Sequence, residues 1–395
     1  MSQFWAGVDA GKHHHHCVLI DDDGKHVLSR RVPNDEQELL NLIGEVHELS
    51  GSAVQWATDQ NHGGAALLIA LLASHGQELL YIPGRTVHHA ARTYRGDGKT
   101  DAKDAAVIAD QARMRRDLQE LRSGDEISSS LRILTARRAD LVTDRSRAFN
   151  RLRATLLEYF PALEAAFDYA NTRAAVVLLT RYQTAAGLRR AGKKRVASWL
   201  TKQSCRGADA IAEVAVTAAQ AQFTVIGSEA VSAEIVSALA IEIERLNESV
   251  QSLDRQIEAL FRTHPRADIL LSLPGFGPRL AAEFIGAVGG GIENIESADR
   301  LAGIAGLAPV PRDSGRISGN HHRPRRYDRR LLRACYLSAQ SAARYCPRSR
   351  AYYEKKRAEG KNHKQAVLAL ARRRINVIWA MLRDNQPYRV VELPA

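Results

Sequence analysis

Alternation of apolar and polar positions opens the chain. Phe4 to Val8 reads as a strand whose C-terminal end carries Asp9. Cys17 to Ile20 and His26 to Val32 flank Asp21-Asp22-Asp23-Gly24, and an Asp-Gly step between apolar runs signals a hairpin. An amphipathic helix follows over Glu36 to Leu49, then a strand, Ala53 to Ala57, that delivers Asp59. The pattern then predicts a helix over Gly64 to Ser74, a strand over Glu78 to Pro83 and a helix from Asp101 to about Leu118. From about Ser128 the strand signal disappears. Leu131 to Leu157 is a long basic helix ended by Phe160-Pro161, and residues 162–230 are Ala-rich and helical with little further pattern. Val236, Leu239, Ile243, Leu246, Val250, Leu253, Ile257 and Leu260 recur in alternating steps of three and four, a heptad seam that specifies a coiled coil with the earlier long helix or with another protomer. An amphipathic helix on a globular core would also carry such a seam.

Three strands in meander followed by strands alternating with helices predict a mixed sheet flanked by helices, the order of the RNase H-like fold. The fold class expected is therefore α/β plus all-α. Its parts are an RNase H-like domain over 1–127, a helical coiled-coil region over 128–262 and a helical C-terminal domain over 263–395. That last part opens with Leu273-Pro-Gly-Phe-Gly-Pro278 between two helical patterns and ends in basic helices.

Composition changes this picture in one respect. The chain has 395 residues, 45% of them hydrophobic, enough for two or three domains with sizeable cores. Its 56 Lys and Arg against 44 Asp and Glu give a formal charge of +12 and favour a polyanionic partner, nucleic acid first and an acidic membrane surface second. The longest apolar block, Ala65 to Ala73, is far short of the roughly 20 residues a membrane span needs, and no signal-peptide core opens the chain, so a cytoplasmic, nucleoid-associated protein is expected. Cys17, Cys205, Cys335 and Cys346 show no metal-type pairing and read as reduced thiols, and the run His13 to His16, inside a strand pattern, reads as a local feature.

Against the positive background, Asp101 and Asp104 stand one helical turn apart on one face of a helix. Thr100 as N-cap, with two acids favourable in a first turn, would account for that pair alone. Asp9 at the end of the first strand and Asp59 just past the fourth lie on neighbouring elements of an RNase H-like sheet, where this helix would cross. Four converging carboxylates would repel one another unless a divalent cation lay among them, and hard oxygen ligands suit Mg²⁺, or Mn²⁺. Lys99 and Lys103 beside the acids are consistent with a site that also receives a polyanion.

A second candidate site lies near the C-terminus. Eight arginines, Arg312, Arg316, Arg323, Arg325, Arg326, Arg329, Arg330 and Arg333, stand against Asp313 and Asp328. Such an array binds phosphates bidentately, and Ser314, beside the flexible Gly315, is placed within it to attack one. A cationic surround lowers a serine's pKa and stabilises charge developing on phosphorus. A solvated basic loop with ordinary turn serines fits the spacing as well. In the Leu273 to Pro278 turn, Gly275 and Gly277 would let backbone N–H groups approach a phosphate.

G-V-D-A-G-K from Gly7, T-D-Q from Thr58, R-G-D-G-K-T-D-A-K-D-A from Arg95, L-P-G-F-G-P from Leu273 and G-L-A-P-V-P-R-D-S-G from Gly306 resemble the DEDD transposases of the IS one-ten group of insertion sequences. The resemblance covers both ends of the chain, with the motifs in the family's order. It implies a RuvC-like N-terminal domain, a coiled-coil middle, and a C-terminal transposase domain with a helix-hairpin-helix element and a serine nucleophile. It also implies guidance by a structured RNA, the bridge RNA, that pairs with donor and target DNA. Carried over by motif, the acidic tetrad is Asp9, Asp59, Asp101 and Asp104, and the nucleophile is Ser314, with Ser318 the alternative. The second acid is glutamate in the family's motif, so Asp59 is one methylene shorter.

The function expected is RNA-guided DNA recombination through a covalent phosphoserine intermediate assisted by Mg²⁺, with double-stranded donor and target DNA, guide RNA and a homo-oligomer, dimer or tetramer, as partners. The alternatives are a metal-dependent hydrolytic nuclease or Holliday-junction resolvase with no covalent intermediate, and a basic coiled-coil protein that only organises nucleic acid.

Overall fold

The computed structural model describes residues 3–51, 53–94, 98, 100–116, 118–121, 126–289, 295–311, 313–316, 318, 319, 321, 322 and 324–389. Lys99, Arg312 and Arg323, named above, lie outside the described residues. By contacts the chain forms two compact units, one of residues 1–129, 288–332 and 368–386, the other of 130–287, 333–367 and 387–395.

In the first unit, β1 (Phe4–Ala10), β2 (His14–Ile20) and β3 (His26–Pro33) form the expected meander. Helix α1 (Glu36–Ser50) starts where the Asp35 carboxylate accepts the Gln37 N–H at 3.1 Å, and ends at Gly51, whose φ of 54° is the left-handed cap that glycine favours. Strand β4 (Val54–Thr58), helix α2 (Ala66–Ser74), β5 (Glu78–Tyr81), α3 (Gly84–Ala91), α4 (Asp101–Met114) and β6 (Gln119–Glu120) complete the sheet. The strand order is β3-β2-β1-β4-β5-β6, with β1, β4 and β5 parallel and the other pairings antiparallel, a mixed sheet compatible with the RNase H-like fold.

Alternation divides this sheet between two cores. Ala6, Val8, Cys17, Leu19 and Trp56 pack with Leu39, Leu42, Leu68 and Leu72 of α1 and α2, while Trp5, Val18, Ile20 and Ala57 pack with Ala105, Ile108, Ala109 and Ala112 of α4. Gly7 sets how close α4 comes. A Cβ there would lie 2.3 Å from the Ala105 carbonyl oxygen and 2.3 Å from the Ala109 nitrogen, so strand and helix touch backbone to backbone.

The second unit is helical. It contains most of α5 (Glu126–Tyr159), then α6 (Pro161–Ala166), α7 (Arg173–Leu179), α8 (Ala185–Lys202), α9 (Ala208–Gln220) and α10 (Glu229–Arg262). One core joins Leu152, Leu156 and Tyr159 of α5 to Val236, Leu239, Ile243 and Leu246 of α10, with Ala208, Ala212, Ala215 and Ala219 of α9. The region 162–230, without pattern in the sequence, is thus four helices, of which α9 packs through alanines while α7 and α8 contribute Val176, Leu178, Leu179, Leu188, Val196 and Leu200. Along the heptad seam Leu253 and Leu260 are only partly buried. Helices α11 (Ala267–Leu271) and α12 (Pro278–Val288) flank the Pro-Gly turn.

The chain continues through α13 (Ala298–Ile304), β7 (Val310–Pro311), β8 (His321–His322), α14 (Arg329–Tyr345), α15 (Pro347–Ala358) and α16 (His363–Arg383). The structure corrects the sequence reading at three points. Helix α4 ends at Met114, where Arg115 turns extended with ψ 143°, short of Leu118. Helix α3 fills part of the stretch left without an element. Strand pairing also returns after residue 128, because β7 and β8 form a two-residue antiparallel ladder, Val310 opposite His322, too short to leave a period in the sequence. No described helix is long and apolar enough to cross a membrane.

Candidate functional site

The C-terminal ends of the adjacent parallel strands β1 and β4 define one edge of the sheet. Their register pairs Val8 with Thr58, so the next residues, Asp9 near the end of β1 and Asp59 just past β4, lie side by side. Ligand sites in such sheets lie at this end. Helix α4 begins over the same edge. Thr100 Oγ1 accepts the Lys103 N–H at 3.2 Å, so the N-cap anticipated as the plain reading is real, and Asp101 and Asp104 occupy the first turn it caps. All four aspartates line one cleft of about 490 Å³.

The opposite wall comes from α3, which sequence reasoning missed. Gly84 starts that helix against Asp59, where a Cβ would meet Asp59 Oδ2 at 3.2 Å. His88, Arg92 and Tyr94 line the cleft with Lys103, so two permanent cations, Arg92 and Lys103, share it with the acids. The Tyr94 hydroxyl donates to Asp110 of α4, which ties the end of this wall to the helix that carries the acids, and burial with that carboxylate pushes the phenol up to about 12. The available signal was the spacing of His88 and Arg92, four residues apart just after Pro83.

Asp59 is the electrostatically stressed member. Burial raises its pKa above the ordinary carboxylate range and Asp104 adds to this, against backbone N–H groups of Ala10 and Asp59 that lower it. Its Oδ1 is buried without a hydrogen-bond partner. An orphaned anionic oxygen among carboxylates fits a hard divalent cation by donor chemistry. Among the described residues no three acidic, His or Cys side chains stand close enough to hold one ion, so the acids share a cleft without forming a closed cage.

The serine lies elsewhere in the same compact unit. Ser297 caps α13 by accepting the Arg300 N–H at 3.1 Å. The chain leaves α13 through Gly306, φ 67°, where a Cβ would lie 2.4 Å from the Tyr327 ring. It returns where the Asp328 N–H donates to the Ile304 carbonyl at 2.8 Å, and the Asp328 carboxylate accepts the N–H groups of Arg330 and Leu331, each at 2.8 Å, to cap α14. Asp328 is thus spent on the helix rather than on the arginines. Between these anchors β7 and β8 project a loop on which Asp313, Ser314, Gly315, Arg316 and Ser318 are exposed. Arg325, Arg326, Arg329 and Arg330 are exposed at its base. The described residues that line the acidic cleft all come from Asp9 to Asp104, so this loop is not part of its wall.

The Pro-Gly turn has a packing explanation. Gly275, φ 81°, lies against α14, where a Cβ would be 2.5 Å from the Ser338 carbonyl oxygen and 2.8 Å from the Ala342 nitrogen, while Gly277 has open space. Of Arg372, Arg373 and Arg374 on α16, Arg372 pairs with Asp299, Arg374 is buried and only Arg373 is exposed.

A mixed sheet with carboxylates gathered at the C-terminal ends of its central parallel strands, together with a basic surface, defines a nucleic-acid-processing α/β protein. Comparison narrows the class. Residues 6–161 match the DEDD transposase family of the IS110 type, and residues 267–354 match the family described as "Transposase IS116/IS110/IS902 family". The chain is 60% identical over 385 residues, 97% of its length and 96% of the other's, to the insertion element IS900 uncharacterized 42 kDa protein of Mycobacterium paratuberculosis. It is 50% identical, over 97% of its length and 96% of the other's, to the insertion element IS116 uncharacterized 44.8 kDa protein of Streptomyces clavuligerus. A pilin gene-inverting protein of Moraxella bovis is 30% identical over 40% of this chain and 51% of its own. The chain belongs to the IS116/IS110/IS902 family of transposases, enzymes that rearrange DNA.

Proposed function

We propose that this transposase is an RNA-guided recombinase that cuts and rejoins DNA through a phosphoserine intermediate formed at Ser314. The observation that carries the reading is that one compact unit contains both the cleft lined by Asp9, Asp59, Asp101 and Asp104 and the loop that exposes Ser314 beside Arg316. Ser314 Oγ attacks the phosphorus of a DNA phosphodiester, the sugar oxygen leaves as a hydroxyl, and the phosphate stays on the serine. A hydroxyl from the partner strand then attacks the phosphoserine and restores a phosphodiester, so no high-energy cofactor is consumed.

Arg316, Arg325, Arg326, Arg329 and Arg330, with Arg312 and Arg323, hold the phosphate by charge-assisted bonds and offset the charge that develops on it. Asp9, Asp59, Asp101 and Asp104 would hold Mg²⁺ or Mn²⁺, which when bound polarises phosphoryl oxygens and stabilises the leaving oxygen. Arg92 and Lys103 draw the phosphate backbone toward the carboxylates, which alone would repel it. Joining several DNA ends calls for a homo-oligomer, dimer or tetramer, and the α10 seam supports a coiled coil, against α5 or with another protomer. Gly277, open where Gly275 is packed, is the better backbone contact for nucleic acid in a helix-hairpin-helix element.

The test incubates protein, element-derived RNA, Mg²⁺ and labelled donor and target DNA, then resolves products on a denaturing gel. A protein-linked DNA band that requires the RNA, disappears in Ser314→Ala and persists in Ser318→Ala supports the reading. The second reading, a hydrolytic nuclease or junction resolvase, is favoured by one observation, that the cleft wall ends at Asp104. It produces free 3′-hydroxyl and 5′-phosphate ends with no protein attached.

A further inference from the structure

Helices α5 and α10 sort their arginines into two sets. Arg138 pairs with Asp254, and Arg145 donates to Asn247 Oδ1 at 3.0 Å, so these two hold the helices together. Arg137 and Arg151 of α5 and Arg245 of α10 are exposed and make no ion pair among the described residues. With Arg147 they line a groove of about 400 Å³ between the two helices. Its floor is apolar, formed by the buried Leu141 and Leu246, and Ser249 adds a hydroxyl. Asp144 and Glu242 are the carboxylates in the wall, and Asp144 meets Arg147 in an exposed pair at 3.3 Å, which contributes little.

Four arginines facing two carboxylates leave the groove cationic with no internal partner for most of its charge. We infer that this groove, in the compact unit that contains neither candidate reaction site, binds the phosphodiester backbone of a nucleic acid. Periodicity carries the assignment. Arg137, Asp144 and Arg151 recur every seven residues, so they share one stripe of α5. Fourteen residues of helix span about 21 Å, the axial rise of about six base pairs at roughly 3.4 Å each. Guanidinium groups at both ends of such a stripe match phosphates repeating along a backbone, and the apolar floor excludes water from the bonds they form. Guide RNA and substrate DNA present the same phosphodiester chemistry, and the test separates them.

The inference rests on the reading that the partner is nucleic acid, and binding without chemistry tests it. Full-length protein in EDTA is titrated by fluorescence anisotropy against short RNA and DNA duplexes of one sequence across a KCl series. Each phosphate contact contributes about 0.9 to the slope of log affinity against log salt. The triple variant Arg137→Gln, Arg151→Gln, Arg245→Gln is expected to lose between two and three units of slope. The control, Lys194→Gln, Arg195→Gln, Arg206→Gln, removes the same charge from exposed positions elsewhere in that unit and is expected to lose less than one. Loss confined to the RNA probe assigns the groove to RNA, loss confined to DNA assigns it to DNA, and equal loss assigns it to phosphodiester backbone of either kind. Arg245→Gln alone, expected to lose about one unit, and Arg245→Lys, expected to keep it, give the same readout if the triple variant melts early. Equal losses in the groove and control variants overturn the inference. The readout in EDTA is binding without chemistry, so a failed adduct assay would leave this result standing.

Discussion

Gly7→Ala is the smallest change that should separate the two halves of the acidic cleft. The added Cβ would sit 2.3 Å from the Ala105 carbonyl oxygen and the Ala109 nitrogen, whereas ordinary contact begins near 3.4 Å, so α4 must retreat from β1 by about 1 Å. Neither contact can rotate away, because both atoms are backbone, and trimming Ala105 or Ala109 to glycine would not relieve the clash. Overpacking of this kind costs about 1 to 3 kcal/mol, and at the upper end lowers the melting temperature of a domain this size by about 6 to 12 °C. Asp101 and Asp104 ride on α4 while Asp9 is two residues past Gly7, so the shift also opens the carboxylate set, and a misplacement of about 1 Å can cost about 100-fold in rate. The assay pairs thermal melting in EDTA with the rate of DNA processing in Mg²⁺. A Gly7→Ala protein that melts with the wild type and processes DNA at the wild-type rate refutes the argument that backbone contact between β1 and α4 builds the site.

Three further outcomes follow from named contacts. Asp59→Asn should abolish DNA processing while raising the melting temperature in EDTA. Its folded pKa is raised, so its favourable contribution is complete below the ordinary carboxylate range and is lost as pH rises through the elevated value; melting curves across that interval should be flatter for the variant, and parallel curves would count against the stressed carboxylate. Asp328→Ala removes the acceptor for two N–H groups at the start of α14 and should cost about 1 kcal/mol in denaturant unfolding, with DNA processing reduced through the loosened arginine loop. Asp254→Ala leaves Arg138 without its carboxylate and also releases Arg279, 3.3 Å away, so it should destabilise by about 1 to 3 kcal/mol, whereas loss of the exposed Lys193–Glu213 pair should cost under about 1 kcal/mol.

Where the chain has a period, the sequence was readable. Strands β1 to β5, helices α1 and α2 and the start of α4 were foreseeable because alternation, an Asp-Gly turn and a Thr N-cap are local signals. The gathering of Asp9, Asp59, Asp101 and Asp104 followed from topology alone. Helix α3 escaped because it is short and its apolar face is only Val87, Ala90 and Ala91, and with it went His88 and Arg92. Residues 162–230 were read as helical, but the bounds of α6 to α9 were not, since the face of α9 built on Ala208, Ala212, Ala215 and Ala219 has little hydrophobic contrast. The β7–β8 ladder is two residues long and depends on the anchoring of Gly306 against Tyr327 and of Asp328 on Ile304, contacts that one sequence does not display.

The central claim, that Ser314 becomes covalently joined to DNA, is met most directly by mass spectrometry of the protein after reaction with guide RNA, Mg²⁺, donor and target, followed by nuclease and protease digestion. The account predicts a nucleotide remnant on the peptide that contains Ser314, absent from Asp104→Ala protein. Cleaved DNA with no remnant on any peptide, or a remnant on Ser318 with Ser314 unmodified, would contradict it.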